Sequence, residues 1–265
     1  MLIACVTMDT PENRRFECTD QTLHSLQNQV DLKKHRVFLV DNGSTDERTH
    51  ELLKEWESAS WATVIRNGEN LGTARAINKA WKHRSPGEAV CKIDNDVTVE
   101  RLNWPDLFEE VLRRMPKAGL FCGKRKDLGE EPEAAVEHAR TRLLMVPHKP
   151  GEDWITVEQV FGPAMGTLQV FSSALIDRIG GLYQMQDEKN EQNLYGWEDS
   201  LVSCRAQLAG FMVVFIPEIR MTHVDPGNTA WTQEKREMAK RSWKRFEAVR
   251  DEYITGKRPL FWEDE

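Results

Sequence analysis

The chain has 265 residues, of which 40% are hydrophobic and 30% are charged, and its formal net charge is −7. This length suits one large domain, or one domain with an appendage, and the apolar residues suffice for a sizeable core. The acidic balance argues against a protein dominated by non-specific nucleic-acid binding, and no apolar run approaches the roughly 20 residues of a membrane span.

The chain opens on a short apolar run at residues 2–6, with neither a basic leader nor a cleavage site. This start predicts a cytoplasmic protein without a signal peptide or an integral membrane segment. Five scattered cysteines with no Cys-x-x-Cys pair indicate reduced thiols rather than a zinc site built from cysteine.

Strands and helices alternate through the first half of the chain. Strands are predicted at residues 2–6, 36–40, 62–66 and 89–93. Helices are predicted between them, at residues 19–29, 47–57 and 73–83, where apolar side chains recur with helical periodicity. This alternation predicts an α/β fold with a mostly parallel, Rossmann-like sheet flanked by helices.

The second half is less regular. Predicted strands lie at residues 118–122, 155–161, 167–171, 211–216 and 219–223, and predicted helices at residues 107–115, 173–179 and 198–208. The charged stretch 124–151 predicts an irregular insertion. Residues 231–253 have a helical pattern rich in Lys and Arg, so we predict a domain of residues 1–230 and a C-terminal helical extension, 231–265. Its basic side chains form either a solvated face or an acceptor-binding or membrane-surface element.

Two acids follow the fourth predicted strand, in the sequence Asp94-Asn95-Asp96. In a parallel α/β sheet, ligands bind beyond the carboxyl ends of the strands. Two carboxylates one residue apart can hold a hard divalent cation such as Mg²⁺ or Mn²⁺, whose shell substrate phosphates often complete. Short Asp-x-Asp strings are common, so solvated loop acids or a helix cap are the alternative for this motif alone.

Polar groups also follow the second and third predicted strands. Asp41 precedes a Gly-Ser-Thr turn and could accept hydrogen bonds from a nucleobase or ribose, although Asp-Asn-Gly is equally a strong turn former. Asn70 and Gly72 open the next helix, whose N-terminus suits an anionic ligand or is an ordinary cap. Because these strand ends share an edge of the sheet with Asp94 and Asp96, the sequence predicts one ligand-binding edge.

An acidic pair and one histidine complete the candidate site. Glu198 and Asp199 begin a predicted helix, where they either favour the positive end of its dipole or supply a base that removes a proton from an acceptor hydroxyl. His223 ends the last predicted strand and is either an ordinary packed residue or a further metal ligand.

Together these segments resemble the family 2 glycosyltransferases with the GT-A fold, over residues 2–225. The resemblance is carried by Val40-Asp41-Asn42-Gly43-Ser44-Thr45-Asp46, Asn70-Leu71-Gly72 with Ala76 and Asn78, Asp94-Asn95-Asp96, Gly196-Trp197-Glu198-Asp199 with Arg205 and Gly210, and residues 217–223. The order and spacing of these segments are specific, although no single segment is. The family's usual proline after the first strand is absent, and the stretch 124–151 has no counterpart in the family.

The resemblance implies a donor-site role for several positions. Asp41 matches the acid that contacts the nucleotide base, Asp94 the acid that faces the ribose, and Thr7 a position that contacts the nucleotide. Asp96 and His223 match the ligands of a bound Mn²⁺ or Mg²⁺. The Asn70 to Gly72 segment belongs to the same donor site.

In the acceptor region, Asp199 matches the catalytic base of inverting members, and Glu198 lies beside it. The same segment also resembles that of some retaining GT-A enzymes, so inversion is the expectation and retention the alternative.

The resemblance therefore implies a metal-dependent transferase that moves a sugar from a nucleotide diphosphate sugar to a hydroxyl of a saccharide or small molecule. A UDP-sugar is the favoured donor, with glucose as the first sugar. One alternative is a phage-type transferase acting on hydroxymethylated DNA bases, suggested by residues 70–81 and 92–97. The others are a nucleotidyltransferase, whose glycine-rich and lysine-bearing phosphate loop is absent, and an inactive nucleotide-sugar-binding module.

Overall fold

The computed structural model describes residues 1–125, 141–164, 166–186, 195–225 and 230–263. Ten strands in these ranges form one sheet: β1 (Leu2–Thr7), β2 (Arg36–Asp41), β3 (Thr63–Arg66), β4 (Val90–Asp94), β5 (Val97–Val99), β6 (Ala118–Arg125), β7 (Thr141–Met145), β8 (Thr156–Val160), β9 (Leu168–Phe171) and β10 (Met212–His223). The helices of the same ranges are α1 (Phe16–Gln29), α2 (Glu47–Ser58), α3 (Thr73–Trp81), α4 (Trp104–Arg114), α5 (Ser173–Ile179), α6 (Glu198–Leu208) and α7 (Ala230–Ile254).

The order of strands across the sheet is β3-β2-β1-β4-β9-β6-β10-β8-β7, and β5 pairs with β10 outside this path. The half from β3 to β4 is parallel throughout, as the alternation of strands and helices predicts. Antiparallel pairing enters at β9, which lies between β4 and β6 and runs against both. The predicted α/β architecture is confirmed.

Apolar side chains on the two faces of the sheet form two separate clusters. One cluster packs against α1, α2 and α4, and its largest members include Trp56, Trp104 and Phe108. The other packs against α3, α5 and α6 and includes Trp81 and Phe171. Strands buried on both faces read as continuous apolar runs, which is why the central strands could be recognised in the sequence.

Three predicted details are wrong. The strands expected at residues 211–216 and 219–223 are one strand, β10, which continues through Pro217 with a register shift against β6. Residues 141–145, expected within an irregular insertion, form the edge strand β7 and pair with β8, while residues 126–140 of that insertion lie outside the described ranges. Residues 97–99, read as no element at all, form β5.

The C-terminal helix packs directly against the rest of the chain. Its Phe246 and Val249 join Tyr183 and Leu201 in a third apolar cluster. Beyond the helix, the amide of Trp262 donates to the carbonyl of Ile179 at 2.8 Å. The boundary between residues 1–230 and 231–265 stays a prediction. No helix of the described ranges is long and apolar enough to span a membrane.

Arg205 ties α6 to the C-terminal segment. Its side chain is fully buried, and its guanidinium donates to the carbonyls of Ile179, Gly181 and Leu260. Burial lowers the pKa of Arg205 to about 10, so the group stays charged at neutral pH. These hydrogen bonds stabilise the packing of α6 against the C-terminal segment. Removing the buried guanidinium would leave the three carbonyl oxygens without their donor.

We expect Arg205→Met to lower the free energy of unfolding by about 3 kcal/mol, since three carbonyls, one of them in a fully buried hydrogen bond, lose a charged donor. Urea unfolding followed by circular dichroism measures this loss. Arg101→Met is the matched control, because Arg101 forms an exposed pair with Glu218 at 3.0 Å and should cost less than about 1 kcal/mol. Equal losses in the two variants would contradict a special role for Arg205.

Candidate active site

A cavity of about 600 Å³ opens at the carboxyl ends of β1, β2 and β4, the edge that the sequence predicts to bind ligands. It is lined by side chains or backbone of Asn42, Asn70, Gly72, Asp94, Asn95, Asp96, Glu198 and, from α7, Glu234, Lys235 and Met238. The cavity therefore brings Glu198 together with four residues predicted for the donor site, Asn70, Gly72, Asp94 and Asp96. This arrangement can hold a polar ligand in contact with several acids.

The short strand β5 brings the second acid of the Asp-x-Asp motif to the histidine. β5 pairs antiparallel with the end of β10, with Val97 opposite His223, and the amide of Val224 donates to the carbonyl of Asp96 at 2.8 Å. As a result, Nε2 of His223 lies 3.1 Å from Oδ2 of Asp96. Two residues 127 positions apart are thus joined by backbone pairing.

The donor set at Asp96 fits a divalent cation. Two neighbouring ligands of an octahedral ion with bonds of roughly 2.1 Å lie about 3 Å apart, which matches the separation between Asp96 and His223. The other oxygen of Asp96, Oδ1, is buried and has no hydrogen-bond partner among the described residues. A buried carboxylate oxygen without a donor is costly unless a ligand satisfies it.

Arg15 is a component of this site that was not recognised in the sequence. Its guanidinium donates to Asp96 through Nη2 and to Asp225 through Nη1, at 2.5 Å in the second case. Burial alone would raise the pKa of Asp96, but the hydrogen bond from His223 and the charge of Arg15 outweigh it and hold that pKa well below its usual range. Asp96 is therefore ionised at neutral pH.

Lys92 is a buried cation beside Asp94, two residues earlier on β4. Its Nζ lies 2.8 Å from Oδ1 of Asp94 and donates to the carbonyl of Gly166 at 2.6 Å. Burial would lower the pKa of Lys92, but the charges of Asp94 and Glu198 outweigh that effect and raise it, so the amine stays protonated. Lys92 thus partly neutralises the acids on both sides of the cavity.

Glu198 and Asp199 begin α6 after Trp197, which adopts a left-handed conformation at φ 69°. Glu198 lines the cavity. The carboxylate of Asp199 accepts hydrogen bonds from the amides of Ser200 at 2.8 Å and Gly166 at 3.1 Å. Burial raises the pKa of both acids, and the charge of Lys92 opposes this rise.

A side-chain network shapes the cavity wall at the ends of β2 and β3. Oδ1 of Asn42 accepts from Asn67 at 3.0 Å and from the amide of Leu71 at 3.1 Å, while its Nδ2 donates to Asn70 at 2.9 Å. Gly72 has φ 83°, and a Cβ there would lie 2.4 Å from Oε1 of Gln184. The positive φ therefore favours glycine at this position, and a larger residue would also displace the side-chain end of Gln184.

Asp41 and Thr7 lie under this wall rather than on it. Oδ1 of Asp41 accepts from the amide of Ser44 at 2.8 Å, which is the turn-forming contact of an Asp-Asn-Gly sequence. The hydroxyl of Thr7 lies 3.3 Å from that of Thr19. Neither residue lines the cavity, whereas Asn42, the neighbour of Asp41, does. Nucleotide contacts by Asp41 and Thr7 stay predictions.

Within the described residues, one group offers three metal-ligating side chains within 4.8 Å of one another, and it consists of His35, Asp106 and Glu109 without Asp96 or His223. It lies at the amino-terminal ends of the strands, beside the start of β2, and therefore on the edge opposite the cavity. Asp106 is paired with Lys34 at 2.5 Å and with His35 at 2.8 Å. These ion pairs account for the cluster without a cation.

Comparison with known proteins shows the family to which the chain is related. A family model described as glycosyl transferase family 2 matches residues 13–173, more than half of the chain. A search of curated protein sequences finds no match.

Several solved structures share the fold. The structure of GalNAc-T7 with UDP, GalNAc and Mn²⁺ superposes with a TM-score of 0.62 at 16% identity, covering 84% of this chain and 43% of that one. The mannosyltransferase PcManGT from Pyrobaculum calidifontis, in complex with GDP-Man and Mn²⁺, gives 0.57 at 19% identity, covering 86% and 57%. A portion of S. aureus TarS with UDP-GlcNAc gives 0.58 at 15% identity, covering 89% and 64%. The chain thus spans 43–64% of their lengths.

Proposed function

Because the chain belongs to glycosyl transferase family 2, we propose that it transfers a sugar from a nucleoside diphosphate sugar to an acceptor hydroxyl. The main support is the contact between Nε2 of His223 and Oδ2 of Asp96. The other oxygen of Asp96, Oδ1, is buried beside the cavity and has no hydrogen-bond donor among the described residues. Structures with this fold hold UDP or GDP-Man together with Mn²⁺, which supports a divalent metal in the present chain.

We assign the donor to the side of the cavity formed by the ends of β2, β3 and β4. Asp94 faces the ribose, and the wall built by Asn42, Asn70 and Gly72 contacts the nucleotide. A UDP-sugar, with glucose as the first sugar, is the donor to test before others. When bound at Asp96 and His223, Mn²⁺ or Mg²⁺ neutralises the negative charge that grows on the leaving diphosphate.

We assign the acids at the start of α6 to the acceptor site. As the acceptor oxygen attacks the anomeric carbon and the bond to the diphosphate breaks, Asp199 takes the proton of the acceptor hydroxyl. Glu198 lies beside Asp199 in the same site. A single base on the face opposite the leaving group gives inversion at that carbon. Lys92 contacts Asp94, and its positive charge opposes the rise in the pKa of Glu198 and Asp199 that burial causes.

A panel of UDP- and GDP-sugars tests this function. We expect one of them, with Mn²⁺ present, to raise the melting temperature and to be hydrolysed slowly to the nucleoside diphosphate and free sugar. Release of pyrophosphate from a nucleoside triphosphate would instead indicate a nucleotidyltransferase, and stabilisation without hydrolysis or transfer would indicate a binding module. Absence of any stabilisation by these donors would refute the proposed function.

A DNA base carrying a hydroxymethyl group is the second acceptor to consider, because α7 presents basic side chains next to the cavity. Arg236, Lys240, Arg241 and Lys244 are exposed on this helix, and Lys235 lines the cavity itself. Duplex DNA should then bind with an affinity that falls steeply as salt is raised. An enzyme whose acceptor is an uncharged saccharide should show no such binding.

The pH dependence of transfer tests the role of Lys92. Burial raises the pKa of Asp199 and Glu198, and the base acts only when unprotonated, so activity should rise with pH through that raised pKa. In Lys92→Met the opposing positive charge is lost, so the acidic limb should move to higher pH, with activity at neutral pH roughly tenfold lower.

Lys54→Met, which removes an exposed lysine from α2, is the matched control for this charge change and should leave the profile in place. Transfer measured from pH 5 to pH 9, with unfolding curves of both variants, separates the effect from loss of fold. An acidic limb that stays at the wild-type pH in folded Lys92→Met would refute the role of Lys92.

A further inference from the structure

We propose that Arg15 makes metal binding depend on the nucleotide: its guanidinium pairs with Asp96 and Asp225 and repels a cation, so that the ion binds tightly only together with a nucleoside diphosphate. This inference rests on the proposed function and adds to it a residue that no part of the mechanism yet uses. Its basis is the position of Arg15 between Asp96 and Asp225, on the floor of the cavity.

Arg15 is held rigidly in that position. It precedes the first residue of α1, and its side chain is only 5% exposed. The helix is anchored to β5, because the hydroxyl of Thr22 accepts from the amide of Val97 at 2.9 Å and that of Ser25 accepts from the amide of Val99 at 2.9 Å. The elements that carry Arg15 and Asp96 therefore keep a constant relation to each other.

Arg15 contacts two buried carboxylates at this site, those of Asp96 and Asp225. One terminal nitrogen donates to Oδ2 of Asp96, the oxygen that also faces His223, and the other donates to Asp225, whose side chain is 4% exposed. Oδ1 of Asp96 is left for another cation. Arg15 thus pairs with both carboxylates and leaves Oδ1 of Asp96 for a metal ion.

The local charge balance follows from these contacts. Asp96 and Asp225 contribute two negative charges, and Arg15, which contacts both, offsets one of them. A divalent ion bound at Asp96 would lie close to this guanidinium, and unit charges at such range interact by several kcal/mol even in a partly screened environment.

A nucleoside diphosphate changes that balance because its phosphates carry more than one negative charge into the same cavity. The ion then gains phosphate oxygens as ligands, and Arg15 gains an anionic partner. Each ligand therefore raises the affinity for the other, and this coupling is reciprocal by thermodynamic necessity. A site of this kind keeps the free ion out until a donor is present.

The test is a measurement of Mn²⁺ binding, by calorimetry and electron paramagnetic resonance, with and without saturating UDP or GDP. In the wild-type protein we expect nucleotide to tighten Mn²⁺ binding at least tenfold. In Arg15→Gln, which removes the charge but keeps a donor, Mn²⁺ alone should bind roughly tenfold more tightly than in the wild type, and the effect of nucleotide should shrink by a similar factor.

Two variants separate charge from other effects. Arg14→Gln removes the same charge from the neighbouring exposed residue and should leave Mn²⁺ binding unchanged. Arg15→Lys keeps the charge and should keep weak binding of Mn²⁺ alone, which also shows whether Arg15 variants fold.

The outcomes distinguish this inference from the function on which it rests. If the wild-type protein binds neither UDP nor GDP in the presence of Mn²⁺, the proposed function and this inference both fail. If both nucleotide and Mn²⁺ bind, but folded Arg15→Gln binds Mn²⁺ alone no more tightly than the wild type, or Arg14→Gln shows the same gain, only the role of Arg15 is overturned.

Discussion

Asp96→Asn should remove metal-dependent transfer, lowering kcat/KM by at least about 100-fold. Changes in groups that only orient a metal ligand cost 10–100-fold in affinity or activity, and Asp96 is assigned here as a ligand itself. An amide oxygen carries no formal charge, so the ion loses its principal anionic contact while the shape of the side chain is kept. Initial rates over a range of Mn²⁺ concentrations measure the loss.

Asp106→Asn is the control for this variant. Asp106 belongs to the cluster with His35 and Glu109 at the opposite edge of the sheet, so its loss should leave the Mn²⁺ dependence of transfer unaltered. If Asp106→Asn abolished that dependence while Asp96→Asn preserved it, the metal would have been assigned to the wrong edge of the sheet.

Asp96→Asn also changes stability in a direction that the pKa determines. The pKa of Asp96 lies below its usual range in the folded protein, so its ionised form contributes stability above the unfolded pKa and loses it as pH falls through the folded pKa. At neutral pH, Asp96→Asn removes that contribution and leaves Arg15 with one carboxylate fewer. Unfolding curves must therefore accompany the kinetics, and the activity is compared only at temperatures where both proteins are folded.

The sequence was sufficient to predict which edge of the sheet carries the cavity because the strands β1, β2 and β4 are buried on both faces. Burial makes them continuous apolar runs, and the polar residues at the end of such runs, including Asp94 and Asp96, converge wherever parallel strands end together. In this half of the chain, the local pattern of apolar residues therefore also indicates which strand ends lie close together.

The family resemblance predicts Asp96 and His223 as metal ligands, but the contacts that bring them together leave no local signal in the sequence. β5 has three residues, too few for a recognisable period, yet its pairing with β10 brings His223 to Asp96. Arg15 lies 81 residues before Asp96 and resembles any other charged residue near a helix start. At the end of β2, Asp41 accepts a turn hydrogen bond and the adjacent Asn42 lines the cavity, while the nucleotide contact of Asp41 stays a prediction.

Asp199→Asn should lower kcat by at least about 100-fold while leaving the affinity for donor nucleotide and Mn²⁺ unchanged, because a positioned general base contributes 10²–10⁴-fold. The variant keeps the size of the side chain, but an amide cannot take the acceptor proton. Steady-state transfer gives kcat, and calorimetry with UDP and Mn²⁺ gives the affinity. Loss of nucleotide binding in step with kcat would mean that Asp199 supports the cavity and does no proton transfer.

Glu198→Gln is the matched comparison, since it makes the same charge change one residue away at the same helix start. The geometry gives each acid a distinct environment: both oxygens of Asp199 accept backbone amides, whereas Glu198 lines the cavity. Hydrogen bonds from amides favour the ionised form, which suits a base that must be unprotonated before it acts. A small loss in Glu198→Gln beside a large one in Asp199→Asn supports Asp199 as the base. The reverse result would identify Glu198 as the base, and Asp199 would then only orient the loop that contains Gly166.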